Sequence, residues 1–138
     1  RDVSPQNVLV WTTGHVKVAD FGIAKARGQL HCPTETGEVK GKLSYMAPEQ
    51  VTTAQIDRRA DIYSMGCIAY EMLTGDPPFH GGRVFDVLTR HVEEAPRSLA
   101  EMAPSTPAWL ERAIMRCLAK DPEDRWQTAH DLRLQRRR

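Results

Sequence analysis

Asp2, Asn7 and Asp20 are the residues whose types and spacing are best suited to chemistry in this chain. Arg1 precedes the first of them, and Phe21-Gly22 follows the last. One carboxylate, one amide and a second carboxylate, on two loops joined by a short hairpin, are what phosphoryl transfer needs on one side of its active site. Asn7 and Asp20 offer oxygen donors of the hard kind that Mg²⁺ prefers. Gly22 permits a backbone turn that a residue with a Cβ resists.

The elements that must hold these residues can be read from the pattern. Val8–Trp11 and Val16–Val18 predict two short strands, with Thr12, Thr13 and Gly14 between them. The polar stretch from Gly22 to Gly41 has no useful period and predicts a long loop, a length that usually serves a function. After Pro48 the pattern becomes helical. Asp61 is expected to N-cap a helix whose stripe is Ile62, Met65, Ile68, Ala69, Met72 and Leu73, ending at Gly75. Val84, Val87, Leu88 and His91 outline a second helix. Ser105 or Thr106 is expected to cap a third, with Pro107 in its first turn and Trp109, Leu110, Ala113, Ile114, Cys117 and Leu118 on one face. Asp121-Pro122 closes it, and a last helix runs from about Gln127 to Leu134. The fold class is mainly α (α+β): one small β-hairpin followed by a helical body.

Bulk properties narrow the function. The chain has 138 residues, one domain's worth at most, and a net charge of +1, without the basic surplus of a nucleic-acid binder. Arg136–Arg138 is the one basic run and reads as a surface terminus, a juxtamembrane stretch being the alternative. No apolar run approaches the ~20 residues that span a bilayer, so a membrane is expected only through a segment outside these residues. Cys32, Cys67 and Cys117 are widely spaced with no CxxC pair, which suits a reducing cytosol rather than a disulfide framework. His31-Cys32 is too little to hold a metal. The expected location is cytoplasmic, or the cytoplasmic face of a membrane.

Each motif is weak alone, but their order is specific. Arg1-Asp2 and Asn7, a hairpin, Asp20-Phe21-Gly22, a long loop, Ala47-Pro48-Glu49, Asp61 heading an apolar helix, and Arg125 near the end form one series. That series resembles the C-terminal lobe of a eukaryotic-like (Hanks-type) protein kinase over essentially the whole chain. Pro5 and Tyr45–Gln50 are similar to bacterial serine/threonine kinases. The resemblance implies ATP and Mg²⁺ as cofactors and a protein substrate as partner. It implies that Asp2 accepts the substrate hydroxyl proton, a role typically worth about 10²–10⁴ in rate. It places Asn7 and Asp20 on the metal and nucleotide. Glu49 and Arg125 correspond to an ion pair tying the activation segment to the lower helices, and Asp61 to a carboxylate holding the catalytic loop's amides.

Two positions depart from the family. The lysine usual two residues after the catalytic aspartate is Ser4, and the threonine usual after the glycine at position 41 is Lys42. The reading adopted is a swap: Lys42 returns the cation from the facing wall and Ser4 takes the vacated hydroxyl position. The plainer alternative is a solvated Lys42 and an impaired enzyme. Arg1 is expected to receive a phosphate carried by Thr34 or Thr36, with Glu38 supplying part of that charge permanently.

Residues 1–138 are expected to form a partial kinase domain, from the catalytic loop onward, that lacks its N-terminal lobe. Neither a Gly-rich phosphate loop nor its strand lysine occurs in them. The helix expected before the catalytic loop would otherwise cover Ile62, Met65 and Met72. The isolated chain is therefore expected to bind ATP poorly and to be marginally stable. A noncatalytic, pseudokinase-like binding lobe is the rival reading.

Overall fold

The computed structural model describes residues 3–19, 42–53 and 55–134. Pro5–Asn7 forms a single 3₁₀ turn, which Pro5 starts by fixing φ where no N–H partner is needed. Strands β1 (Val8–Val10) and β2 (Val16–Val18) follow and pair antiparallel in the register Val8↔Val18, Leu9↔Lys17 and Val10↔Val16. The turn closes through Trp11 N–H to the His15 carbonyl (2.8 Å) and Gly14 N–H to the Trp11 carbonyl (2.9 Å). Gly14 sits at φ +81°, a conformation in which a Cβ is strained. The first strand stops at Val10, one residue short of the expected boundary.

The helical body comprises α1 (Pro48–Thr52), α2 (Arg59–Thr74), α3 (Val84–Glu93), α4 (Leu99–Met102), α5 (Ala108–Cys117) and α6 (Ala129–Leu134). A 3₁₀ turn at Pro122–Asp124 joins the last two. Helix α2 is the hub: it packs on α5 and α4, while α1 lies against α3. The main core gathers Tyr45, Ala47, Tyr63, Cys67, Leu99 and Leu118, and a smaller cluster joins Ile62, Cys117 and Trp126.

Several expected boundaries are corrected. Asp61 lies in the first turn of α2 and is not its N-cap, which is Arg58. Asp57 does the local capping instead, its Oδ1 accepting the Arg59 N–H at 2.8 Å. The α2 stripe is also different. Ile62 is buried, but Met65 and Met72 are 43% and 80% exposed, while Tyr63, Ser64, Gly66, Cys67 and Tyr70 face inward. Small residues decide this: a Cβ on Gly66 would come within 2.7 Å of the Cys117 Cβ, so α5 approaches at the backbone of Gly66.

Helix α5 takes Pro107 as its N-cap, and neither Ser105 nor Thr106 caps it; the Thr106 hydroxyl is buried without a partner. The short helix α4 was not expected. Ser98 starts it by accepting the Ala100 N–H, and Glu111 of α5 reinforces the start by accepting from both the Ser98 hydroxyl and the Ala100 N–H. Helix α6 begins two residues later than expected. Thr128 and Asp131 cap it reciprocally, Thr128 N–H to Asp131 Oδ2 at 3.0 Å and Asp131 N–H to Thr128 Oγ1 at 3.2 Å.

Candidate active site

At the open end of the hairpin, the ladder continues one step past Val8↔Val18: Ala19 N–H donates to the Asn7 carbonyl at 2.6 Å. Asn7 N–H in turn donates to the Ser4 carbonyl at 2.9 Å, closing the 3₁₀ turn. Asn7 is thereby paired with the residue immediately before Asp20 in sequence. A neutral amide oxygen in this place fits a hard cation in donor chemistry. Arg1, Asp2, Asp20, Thr34 and Thr36 lie outside the described residues, as do Glu38, His31-Cys32 and Arg136–Arg138.

Ser4 is fully buried and its hydroxyl has no hydrogen-bond partner among the described residues. Lys42 is exposed and starts the segment leading to α1. From there on the chain is pinned residue by residue. Tyr45 N–H reaches back to the Lys42 carbonyl (3.3 Å), the Tyr45 hydroxyl donates to Glu71 Oε2 (2.5 Å), and the Tyr45 carbonyl accepts from Ser64 Oγ (2.6 Å). Burial, and then the Glu71 carboxylate, hold the Tyr45 phenol well above its usual range. Gln50 Oε1 accepts the Ala47 N–H at 2.8 Å, which fixes the start of α1.

Glu49, the second residue of α1, meets Arg125 in the interior. Arg125 is fully buried and donates to both Glu49 carboxylate oxygens at 2.7 Å. Its remaining N–H groups go to the carbonyls of Ala119 (2.7 Å), Lys120 (2.9 Å) and Arg59 (3.1 Å). No donor of the guanidinium is left over, and its plane lies 4.9 Å from the Tyr63 ring centroid. One side chain thus joins α1, the start of α2 and the loop after α5. Asp61 is half-buried and lines a cleft of about 580 Å³ together with Gln50, Ile56, Asp57 and Arg58.

A second polar group lies beneath the segment from Leu43 to Ala47. His91 of α3 is fully buried, with Nδ1 2.8 Å from the Tyr63 hydroxyl and its ring edge-on to Phe79. Burial, and then the Lys120 ammonium, lower its pKa to about 4, while the backbone of Ser44 and Leu43 opposes that fall. Lys120 crosses the Phe79 ring and donates to the Arg90 and His91 carbonyls at 3.2 and 2.8 Å, closing the C-terminus of α3. Its own burial pushes the ammonium down to about 8. Tyr63, Ser64 and Lys120 were not singled out from the sequence. A usable signal existed: a serine and tyrosines inside an otherwise apolar helix need buried partners. The thiols of Cys67 and Cys117 are buried and pushed up, that of Cys117 to about 12, so neither is a nucleophile at neutral pH.

Among the described residues no group of metal-ligating side chains is present, and no helix is long and apolar enough to cross a membrane. A mainly helical body behind one hairpin, with a buried Glu–Arg tie below the site, defines the class; the family follows from comparison. The family model described as "Protein kinase domain" matches residues 1–135. The chain belongs to the protein kinase domain family.

It is 41% identical over 133 residues to the serine/threonine-protein kinase PknB of Mycobacterium leprae, covering 96% of this chain and 21% of the relative. The corresponding protein of Mycobacterium tuberculosis is 42% identical over 134 residues, with the same coverage. A probable serine/threonine-protein kinase PknB of Corynebacterium glutamicum is 40% identical over 137 residues. The chain spans about a fifth of the length of the curated relatives it matches. Their names mark bacterial serine/threonine kinases, enzymes of a family that uses ATP and Mg²⁺.

Proposed function

We propose that this chain is the C-terminal lobe of a bacterial kinase that transfers the ATP γ-phosphoryl group to serine or threonine hydroxyls of a protein. The observation that carries the reading is the Ala19–Asn7 bond of 2.6 Å, which pairs the amide donor with the neighbour of Asp20. Asp2 accepts the substrate hydroxyl proton and orients its oxygen. Asn7 and Asp20 would hold Mg²⁺, which when bound would neutralise charge on the phosphate oxygens. Asp61 holds the backbone amides of the catalytic loop, and the Glu49–Arg125 pair anchors the end of the activation segment. Arg1 receives a phosphate on Thr34 or Thr36. These residues contain neither a Gly-rich phosphate loop nor its strand lysine, so on their own they bind ATP poorly. The kinase works in the cytoplasm or on the cytoplasmic face of a membrane.

The buried, uncharged Ser4 removes a cation from the site, and Lys42 replaces it. In the full-length gene product, Lys42→Ala should lower kcat by about 10²–10³, as expected for one charge-stabilising group. The KM for ATP should stay within about twofold. The double variant Ser4→Lys/Lys42→Thr restores the common arrangement and should transfer phosphate better than Lys42→Thr alone. An unchanged kcat for Lys42→Ala would sink the swap. Absence of transfer by the parent protein on any protein substrate, with ATP bound, would favour the noncatalytic lobe, to which the missing charge at Ser4 lends weight.

A further inference from the structure

Both ends of α3 are gripped by one side chain from another part of the chain. Lys120, in the loop after α5, is half-buried. Its ammonium lies 4.4 Å from the ring centroid of Phe79, in the loop that enters α3. The same ammonium donates to the Arg90 and His91 carbonyls at 3.2 and 2.8 Å, in the last turn of the helix. Carbonyls of a last turn run short of helical donors, and the helix dipole is negative at that end, so a cation is favoured there. The ring face of Phe79 favours a cation too.

The backbone of Lys120 is held from the opposite side. Arg125 Nη2 donates to the Lys120 carbonyl at 2.9 Å and to Glu49 Oε2 at 2.7 Å. A continuous path of polar contacts thus runs from Glu49 of α1, through Arg125, into the Lys120 backbone and out along its side chain to the end of α3. The loop that carries this path is braced. Arg125 Nε donates to the Ala119 carbonyl (2.7 Å), and Asp121 Oδ1 accepts the Glu123 N–H (2.8 Å). Arg59 of α2 reaches the Glu123 and Gln127 side chains at 2.7 and 2.9 Å. Helix α3 lies against α1, and α1 ends the segment that starts at Lys42.

We propose that Lys120 is a positioning residue for protein-substrate binding: it fixes the end of α3 to the loop that holds Glu49, and so keeps α3 braced against α1 and the segment running into it. The meaning of that segment for a substrate rests on the kinase reading. The brace itself is a matter of α1, α3 and the loop, and does not depend on that reading. Lys120 touches neither nucleotide nor substrate; it acts through the two helices.

The test uses the full-length gene product with Lys120→Met and Lys120→Arg. Methionine keeps an apolar stem against Phe79 but gives the Arg90 and His91 carbonyls no donor, whereas arginine keeps the charge, the donors and the stacking on the ring. Amide exchange at 49–53 in α1 and at 91–95 at the end of α3 should quicken together by about tenfold in Lys120→Met. In Lys120→Arg both should stay within about threefold of the parent, the range expected for losing or keeping one charge-assisted hydrogen bond. The KM for protein substrate should rise about fivefold in Lys120→Met and recover in Lys120→Arg, with kcat and the KM for ATP within about twofold of the parent. Faster exchange at 91–95 with none at 49–53 overturns the proposal, as does an equal change in α6, which marks general loosening. An unchanged KM for protein substrate in Lys120→Met, or a Lys120→Arg variant that behaves like it, overturns it as well. If Lys120→Met does not fold, Lys120→Gln, one bond shorter than lysine, replaces it under the same expectations. An exchange contrast without any phosphoryl transfer by the parent would support the brace and reject the kinase reading.

Discussion

Arg125 clasps Glu49 through both terminal nitrogens at 2.7 Å while its other N–H groups fill three backbone carbonyls. The two residues are 76 positions apart, and the bond between them ties α1 to the loop after α5. The two partners are not equivalent. Removing Glu49 breaks only its two hydrogen bonds to Arg125, whereas removing Arg125 also strands the carbonyls of Ala119, Lys120 and Arg59.

Arg125→Met should therefore be more damaging than Glu49→Gln. Removing one side of a buried pair costs on the order of 3–5 kcal/mol, and the orphaned carbonyls add to it. The double variant should be no worse than Arg125→Met alone, because the carboxylate is no longer left charged without a partner. Chemical denaturation of the full-length protein measures the order, and a larger loss for Glu49→Gln would contradict it.

His91 predicts a stability that depends on acid. Its folded pKa of about 4 lies below the ordinary 6.5, so the unfolded chain takes up a proton first as the pH falls. Its contribution is complete above pH 6.5 and is lost between there and about 4. The whole loss is on the order of 3 kcal/mol. The groups facing the ring are the Tyr63 hydroxyl, the Lys120 ammonium and the Leu43–Ser44 backbone. His91→Gln should flatten this part of the stability profile, measured by denaturant midpoints across that window. A slope that survives the substitution belongs to other groups.

Gly66→Ala should destabilise by about 1–3 kcal/mol, the usual cost of overpacking. The added Cβ meets the Cys117 Cβ at 2.7 Å and the Leu118 side chain at 3.2 Å. Cys117→Ala should not rescue it, since alanine keeps the clashing atom. Melting temperatures of the single and double variants decide the matter, and a neutral Gly66→Ala would mean that α5 is free to move outward.

Tyr45→Phe keeps the ring in the core and removes the bond to Glu71. A hydrogen bond to a charged group is worth about 1.5–3 kcal/mol, and the half-buried Glu71 suggests the lower end. Ser64→Ala removes the donor to the Tyr45 carbonyl at 2.6 Å. Both variants should quicken amide exchange at 43–47 without moving that of α5. Equal changes in both regions would indicate general loosening instead.

Much of the fold is legible in the sequence because period and punctuation are local. The hairpin is marked by two valine-rich runs around Gly14, and α3 by Val84, Val87, Leu88 and His91. What misled was burial by neighbours. Met65 and Met72 have the apolar character of core residues, yet Gly66 and Cys67 lie on the side where α5 approaches. Helix α4 escaped notice because a one-turn helix has no period; its start depends on Glu111, thirteen residues from Ser98. At Asp61, a carboxylate before an apolar run looked like a cap, but Asp57 reached the free N–H first.

The sequence by itself determined the family, since the order and spacing of short motifs do not depend on packing. It also supplied the donor types at Asn7 and the charge lost at Ser4. Only the tertiary structure decided which polar groups are buried together. Tyr63, His91, Arg125 and Lys120 come from two helices and the loop after α5, and nothing local distinguishes them from solvated residues. Their pairing follows from the cost of leaving a donor or acceptor unsatisfied in the core, a constraint felt only when the chain has closed around them.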